Sequence, residues 1–295
     1  MGKITSLVEF QGKVGNLVGY RGKDGRSVIR QHRYDTKNAK SVLQMRRRVS
    51  WANMVNVYKA LAAYMQPAFE NKPAGQSDYN AFTQANIDAN CVYLTKEDSR
   101  MGTCVVAPYV MSRGSLQPIS LNSVSGGKVA TDIALGDLSI DADTTVSALS
   151  KAILNNNAAG RFLEGDQITG ILLVQSVVGD MRIPRANAIV GGFIIDRNDN
   201  RKVWDLYPSN VFATANGYLS TQAAVNGGIC WIQTRIENGK TLASTQQLVV
   251  NNNLLESYQG ADAQEEAMQS YGVNRKNFLT PTGNRYKAED IDPMP

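Results

Sequence analysis

Arginine and lysine are the residues whose type and spacing point to chemistry here, and that chemistry is the gripping of anions. Arg21, Lys23, Arg26, Arg30 and Arg33 recur at short intervals along one segment, and Arg46-Arg47-Arg48 follow. A planar guanidinium fork holds a carboxylate or a phosphate through two parallel hydrogen bonds. Residues 1–50 contain twelve Lys or Arg against Glu9, Asp24 and Asp35, a local net of +9. The whole chain carries +5, so residues 51–295 carry −4 between them. A basic head on a mildly acidic body makes head-to-body contact between copies attractive. The alternative is nucleic-acid binding, with the same side chains laid along phosphates and Tyr20 or Tyr34 free to stack, although no aromatic platform motif is present. The oligomer reading is favoured, because the body supplies the complementary charge.

Catalytic and metal-ligating patterns are thin. The single histidine, His32, stands between basic residues with no nucleophile motif beside it, and reads as a surface or packing residue. Asp141 with Asp143, and Glu164 with Asp166, sit on loop-like stretches and read as solvated turn residues. Asp196-Arg197-Asn198-Asp199-Asn200 resembles half of a calcium loop. Arg201 stands where glycine is required and Tyr207 where a bidentate glutamate is required, so the stretch reads as a hairpin turn. Cys91, Cys104 and Cys230 make neither a disulfide framework nor a zinc site and read as small buried hydrophobes. No phosphate-binding glycine loop occurs, since Gly191-Gly192 lies inside a strand. The expectation is a protein that is no enzyme, with no cofactor and no metal.

The elements that must carry the basic residues are a set of hairpins and a long helix. Strands are expected at Leu7–Phe10, Gly15–Tyr20 and Arg26–Gln31, with Asp24-Gly25 supplying the positive φ of a tight turn. Neither face of the third strand is cleanly apolar, so the hairpin is thin and needs a helix or a neighbouring subunit to cover it. Asn38 caps a helix running to about Gln66, where Pro67 stops it; Trp51, Val55, Tyr58, Ala62 and Met65 form its expected buried stripe. A loop over 71–77 precedes a second helix, capped by Ser77 or Asp78 and ending near Asn90, with Tyr79, Phe82 and Ile87 as anchors.

Beyond Cys104 the pattern turns to strands, at Val105–Ser112, Lys128–Ile133, Ile168–Val178, Ala188–Ile195, Gly228–Ile236 and Gln247–Val250. One helix interrupts them, capped by Asp143 and running from Thr144 to about Asn155, and Ala263–Ser270 forms a last short helix. The tail from Tyr271 to Pro295 is polar, has no periodicity, and is expected to order only on a partner. The fold class is α+β: an N-terminal β-hairpin arm (1–35), a helical segment (36–100), a strand-rich mixed domain with one inserted helix (101–260), and a short helix with an extended tail (261–295). An apolar content of 43% suits a folded chain. No apolar run approaches the roughly 20 residues that span a bilayer, and Gly12, Lys13 and Gly15 interrupt any signal-peptide core, so no membrane association is expected.

Gly12-Lys13-Val14-Gly15-Asn16-Leu17-Val18-Gly19-Tyr20, a basic strand, then Asn38-Ala39-Lys40-Ser41 with Gln44 and Arg46-Arg47 make a recognisable opening. It resembles that of a group of proteins from Bacteroidetes bacteria and their phages, which includes virion components of crAss-like bacteriophages. Phe82, and Ser244-Thr245-Gln246 after Glu237-Asn238-Gly239-Lys240, are similar to later landmarks of that group. The likeness covers the first ninety residues and a segment near 231–250. It implies a multicopy structural role in a virion, assembled after synthesis in the host cytoplasm, as a neck or collar ring between portal and tail or in a head-associated position. Its partners would be copies of itself and neighbouring portal, tail or ring proteins.

Overall fold

The computed structural model describes residues 11–22, 25–32, 42–62, 68–73, 75–89, 91–123, 128–180, 182–209, 211–222 and 226–271. The chain opens with β1 (Gly12–Val14), β2 (Leu17–Arg21) and β3 (Ser27–Gln31), an antiparallel three-stranded sheet in the order β1-β2-β3. The first described turn is Gly15-Asn16, at the start of the expected Gly15–Tyr20 strand, because Gly15 provides the positive φ (56°) that lets β1 fold onto β2. The expected strand at Leu7–Phe10, Asp24 of the second turn, the Asn38 cap, and the stretch from Met65 to the Pro67 stop lie outside the described residues.

The long helix, α1, covers Val42–Leu61 and presents a buried stripe of Met45, Val49, Asn53, Met54, Val57 and Leu61. That stripe is rotated from the expected one: Trp51 is 37% exposed, and Val55, Tyr58 and Ala62 are half-buried. Two apolar stripes run along the helix, and the one containing methionines and an asparagine wins the core. Next, α2 (Asp78–Asn86) is capped by Ser77 Oγ, which accepts from the Asn80 amide. A third helix, α3 (Lys96–Met101), was not expected; Thr95 and Asp98 cap it reciprocally and Gly102 ends it at φ 69°.

The β-rich part runs β4 (Val110–Ser112), β5 (Leu121–Ser123), β6 (Lys128–Ala134), α4 (Val146–Asn156), β7 (Gln167–Val178), β8 (Ile183–Ile194), α5 (Val203–Leu206), β9 (Ala213–Ala215) and β10 (Tyr218–Gln222). It continues through β11 (Gly227–Glu237), β12 (Lys240–Ala243), β13 (Gln246–Gln247) and β14 (Val249–Asn251), then a 3-10 turn (Leu255–Tyr258) and α6 (Gly260–Ser270). The α+β class with a hairpin arm, long helix and strand-rich domain therefore holds. Two sheets build the body. One is ordered β12-β11-β7-β8 with β14 also on β11, and the other β5-β6-β10-β9; β13 pairs β4 separately.

The central strands explain why the core is continuous. On β7, Ile168 and Leu172 face one side while Ile171 and Leu173 face the other; on β11, Ile229 and Trp231 oppose Cys230 and Ile232 in the same way. One face of this sheet meets α1, α2 and the Val92–Met111 segment. The other meets α4, Ile133 of β6 and Leu219 of β10. Buried on both faces, these strands read as apolar runs and not as alternations. Gly170 and Gly191 lie opposite each other on β7 and β8. A Cβ on Gly191 would stand 2.7 Å from the Phe212 ring, whose edge-on contact with Trp231 (5.2 Å, 87°) fills the space the two glycines leave. A third, smaller cluster docks Ala267 and Met268 of α6 onto Met45 and Val49 of α1.

Several expected boundaries change. Only Val110–Ser112 of the Val105–Ser112 run pairs as strand; the rest is extended and held by side-chain amides. Asn53 brackets Val105, with its Oδ1 accepting from the Val105 amide and its Nδ2 donating to the Val105 carbonyl, both at 2.8 Å. Gln175 Oε1 accepts from the Val106 amide at 2.8 Å. The α4 cap is Thr145, not Asp143: Thr145 Oγ1 accepts from the Ala148 amide, while Asp143 pairs with Lys202 at 2.7 Å. Asp196–Asn200 is no hairpin turn, because β8 ends at Ile194 and the chain passes into α5.

Candidate functional site

The expected anion-gripping residues divide between two elements. On the arm, cross-strand register places Lys13, Val18 and Arg30 side by side on one face with Tyr20 and Val28. The Arg30 guanidinium lies 5.6 Å from the centre of the Tyr20 ring. Arg21 turns inward locally, its Nε donating to the Gly25 carbonyl at 3.2 Å, so it helps to close the β2–β3 turn. Arg26 is exposed at the start of β3. Lys23 and Arg33 lie outside the described residues. Val14, Leu17 and Tyr20 are 63%, 45% and 44% exposed, and among the described residues no arm side chain takes part in the three apolar clusters of the body. His32 is half-buried at the end of β3, where its amide donates to the Asn16 carbonyl at 2.6 Å.

The Arg46-Arg47-Arg48 run sits on the first turns of α1, all three exposed. Among the described residues none of them enters an ion pair. Arg46 stands near the Tyr93 phenol. Arg47 and Arg48 border a groove of about 700 Å³ along α1. Its other walls are Trp51, Val55 and Lys59 one to three turns on, Tyr79 and Ile87 from the α2 region, Ser99 of α3, and Tyr271 just past α6. Among the described residues three cations and three aromatic rings line it, and no acid does.

The half-exposed stripe of α1 is thus the floor of a groove. Tyr79 roots it in the core, edge-on to Tyr58 at 5.1 Å, with Tyr58 against Phe82 at 5.3 Å and Phe82 against Tyr109 at 6.0 Å. The Tyr58 phenol is pushed up in pKa by burial first and by the nearby Asp78 second. Trp51, Lys59, Tyr79 and Tyr271 were not expected at a site. The spacing of Gln44, Arg48, Trp51, Val55 and Lys59, in steps of three or four, was the available signal for one helical face.

The carboxylates expected in solvated turns separate sharply. Asp141 is exposed, and the Thr144 hydroxyl and the Asp143 amide hold its carboxyl below the usual range. Asp166 is instead buried, 1% exposed, and not solvated: it is bidentate with Arg235, Nε to Oδ1 and Nη2 to Oδ2 both at 2.7 Å. It also accepts from the Leu163 amide and from Gln233 Nε2. Both carboxylate oxygens accept from within the fold, which makes Asp166 a clamp between the 160–166 loop and β11. Cys104 and Cys230 lie in the core, and burial pushes the Cys104 thiol up to about 12; Cys91 is half-buried. Among the described residues no group of three or more His, Cys, Asp or Glu could hold a metal ion, and no helix is long and apolar enough to cross a membrane. A scan against protein-family models, a search of curated proteins and a search of solved structures each return no match.

Proposed function

We propose that this chain is a non-enzymatic structural subunit of a tailed-bacteriophage virion, working in many copies as a neck or collar ring between portal and tail. The observation that carries the reading is the arm. A three-stranded sheet this short is marginal alone, and this one leaves Val14, Leu17 and Tyr20 in solvent beside Arg26 and Arg30, outside the body's apolar clusters. Such a sheet gains most by docking on another polypeptide, and an acidic surface suits its charge. Head-to-tail contacts of that kind close into rings when the rotation per subunit allows. The sequence likeness to virion components of crAss-like phages gives the setting, and neighbouring copies, portal and tail proteins are the partners it brings.

Deletion of residues 1–35 tests the reading. The shortened chain is expected to stay folded and soluble but to lose assembly in light scattering; full-sized assemblies from it would overturn the arm's role.

Nucleic-acid binding is a second reading with its own observation, since Arg47, Arg48 and Lys59 beside Trp51 and Tyr79 combine phosphate-binding charge with stacking surfaces. Its signature would be DNA affinity that falls steeply with salt and disappears on replacing Arg26, Arg30 and Arg46–Arg48.

A further inference from the structure

We infer that the α1 groove is the seat for the acidic end of a neighbouring copy's C-terminal tail, the segment Glu289-Asp290-Ile291-Asp292. This rests on the multicopy reading above and names one of its contacts. Arg47, Arg48 and Lys59 face the groove with no acid among its lining residues, and none of the three enters an ion pair among the described residues. The tail supplies three carboxylates within four positions, and Ile291 and Met294 are apolar side chains for the Trp51 and Tyr79 rings. Charge and apolar content therefore match on both sides.

The tail is long enough to reach a neighbouring copy. Tyr271 lines the groove, so the tail departs from the groove's own rim. Eighteen positions separate Tyr271 from Glu289. At about 3.3 Å each that is a reach of roughly 60 Å, beyond the width of a body whose radius of gyration is about 19 Å. Arg275, Lys276, Arg285 and Lys287 lie on the way. Glu289, Asp290 and Asp292 stand beyond all four of them, so the acidic end is the part of the tail that a cationic groove attracts.

Two full-length variants and their mixture test the contact. One carries Glu289→Gln, Asp290→Asn and Asp292→Asn; the other carries Arg47→Glu and Arg48→Glu. Unchanged circular dichroism confirms that each folds, and the milder pair Arg47→Gln and Arg48→Gln replaces the second if it does not. Each alone is expected to self-associate about tenfold or more weakly than the unaltered chain. The equimolar mixture is expected to recover a two-copy species, because it holds one intact groove and one intact tail. Wild-type association in either variant, or a mixture that stays monomeric, overturns the inference. So does a groove variant that loses DNA binding while still associating normally. If the unaltered chain never associates, the multicopy reading falls too; if it associates and both variants do likewise, only the tail contact falls.

Discussion

Asp166 and Arg235 show how one pair can hold distant parts of the chain. Their bidentate contact spans 69 residues, and the Arg235 guanidinium also donates to the Arg161 carbonyl at 3.1 Å. Arg161 in turn pairs with Asp132 on β6 at 2.7 Å, so one polar chain links β11, the 160–166 loop and the four-stranded sheet. Removing one partner of a buried pair costs more than removing both, because the survivor stays desolvated. Asp166→Ala is expected to lower unfolding free energy by about 3–5 kcal/mol, read as the midpoint of urea unfolding. The double change Asp166→Leu with Arg235→Met is expected to cost less. Equal costs would show that the pair is not coupled. Nothing local in the sequence distinguished Asp166 from the exposed Asp141, since each stands in a polar loop with a second acid two residues away. The difference is made by Gln233 and Arg235, which only the sheet brings near.

Elements were legible where one surface set the pattern and obscure where two competed. The interrupting helix was visible because Val146, Leu149 and Ile153 all face one core. On α1 the half-exposed Trp51 stripe is the more aromatic, yet the Met45-to-Leu61 stripe is buried, because hydrogen bonding makes Asn53 a core residue. Two further boundaries moved for similar reasons. Pro184 and Arg185 hid the first half of β8, yet a proline is tolerated there because β8 is the last strand on its side of the sheet. The turns Asn216-Gly217 and Asn238-Gly239, all at positive φ, close the β9–β10 and β11–β12 hairpins; β9, β10 and β12 were not expected, because runs so short carry no periodicity. Asn53→Leu is expected to destabilise by about 2–4 kcal/mol, since it strands the buried Val105 N–H and C=O together. Asn56→Leu, which removes a single hydrogen bond, to the Thr103 carbonyl, is expected to cost less. Thermal melts of the two variants compare them, and equal shifts would argue against the bracketing role of Asn53.

At the scale of the molecule, the body is a sheet covered on both faces, with its polar loops clamped by internal pairs, and it needs no second chain for its core. The basic head is different. Its short sheet keeps cations and apolar side chains in solvent, and the cations of α1 line an acid-free groove. The charge division between residues 1–50 and the remainder was fully readable in the sequence, because charge is additive and needs no fold. The groove was not, since α1, α2, α3 and Tyr271 build it jointly. The central claim, that this charge division drives copies together, meets its most direct test in light scattering of the purified full-length chain at low and high salt. A mass several times 32.2 kDa at low salt, falling as salt rises, is the expected result. A mass of one chain at both salt concentrations, across the concentration range, would contradict it.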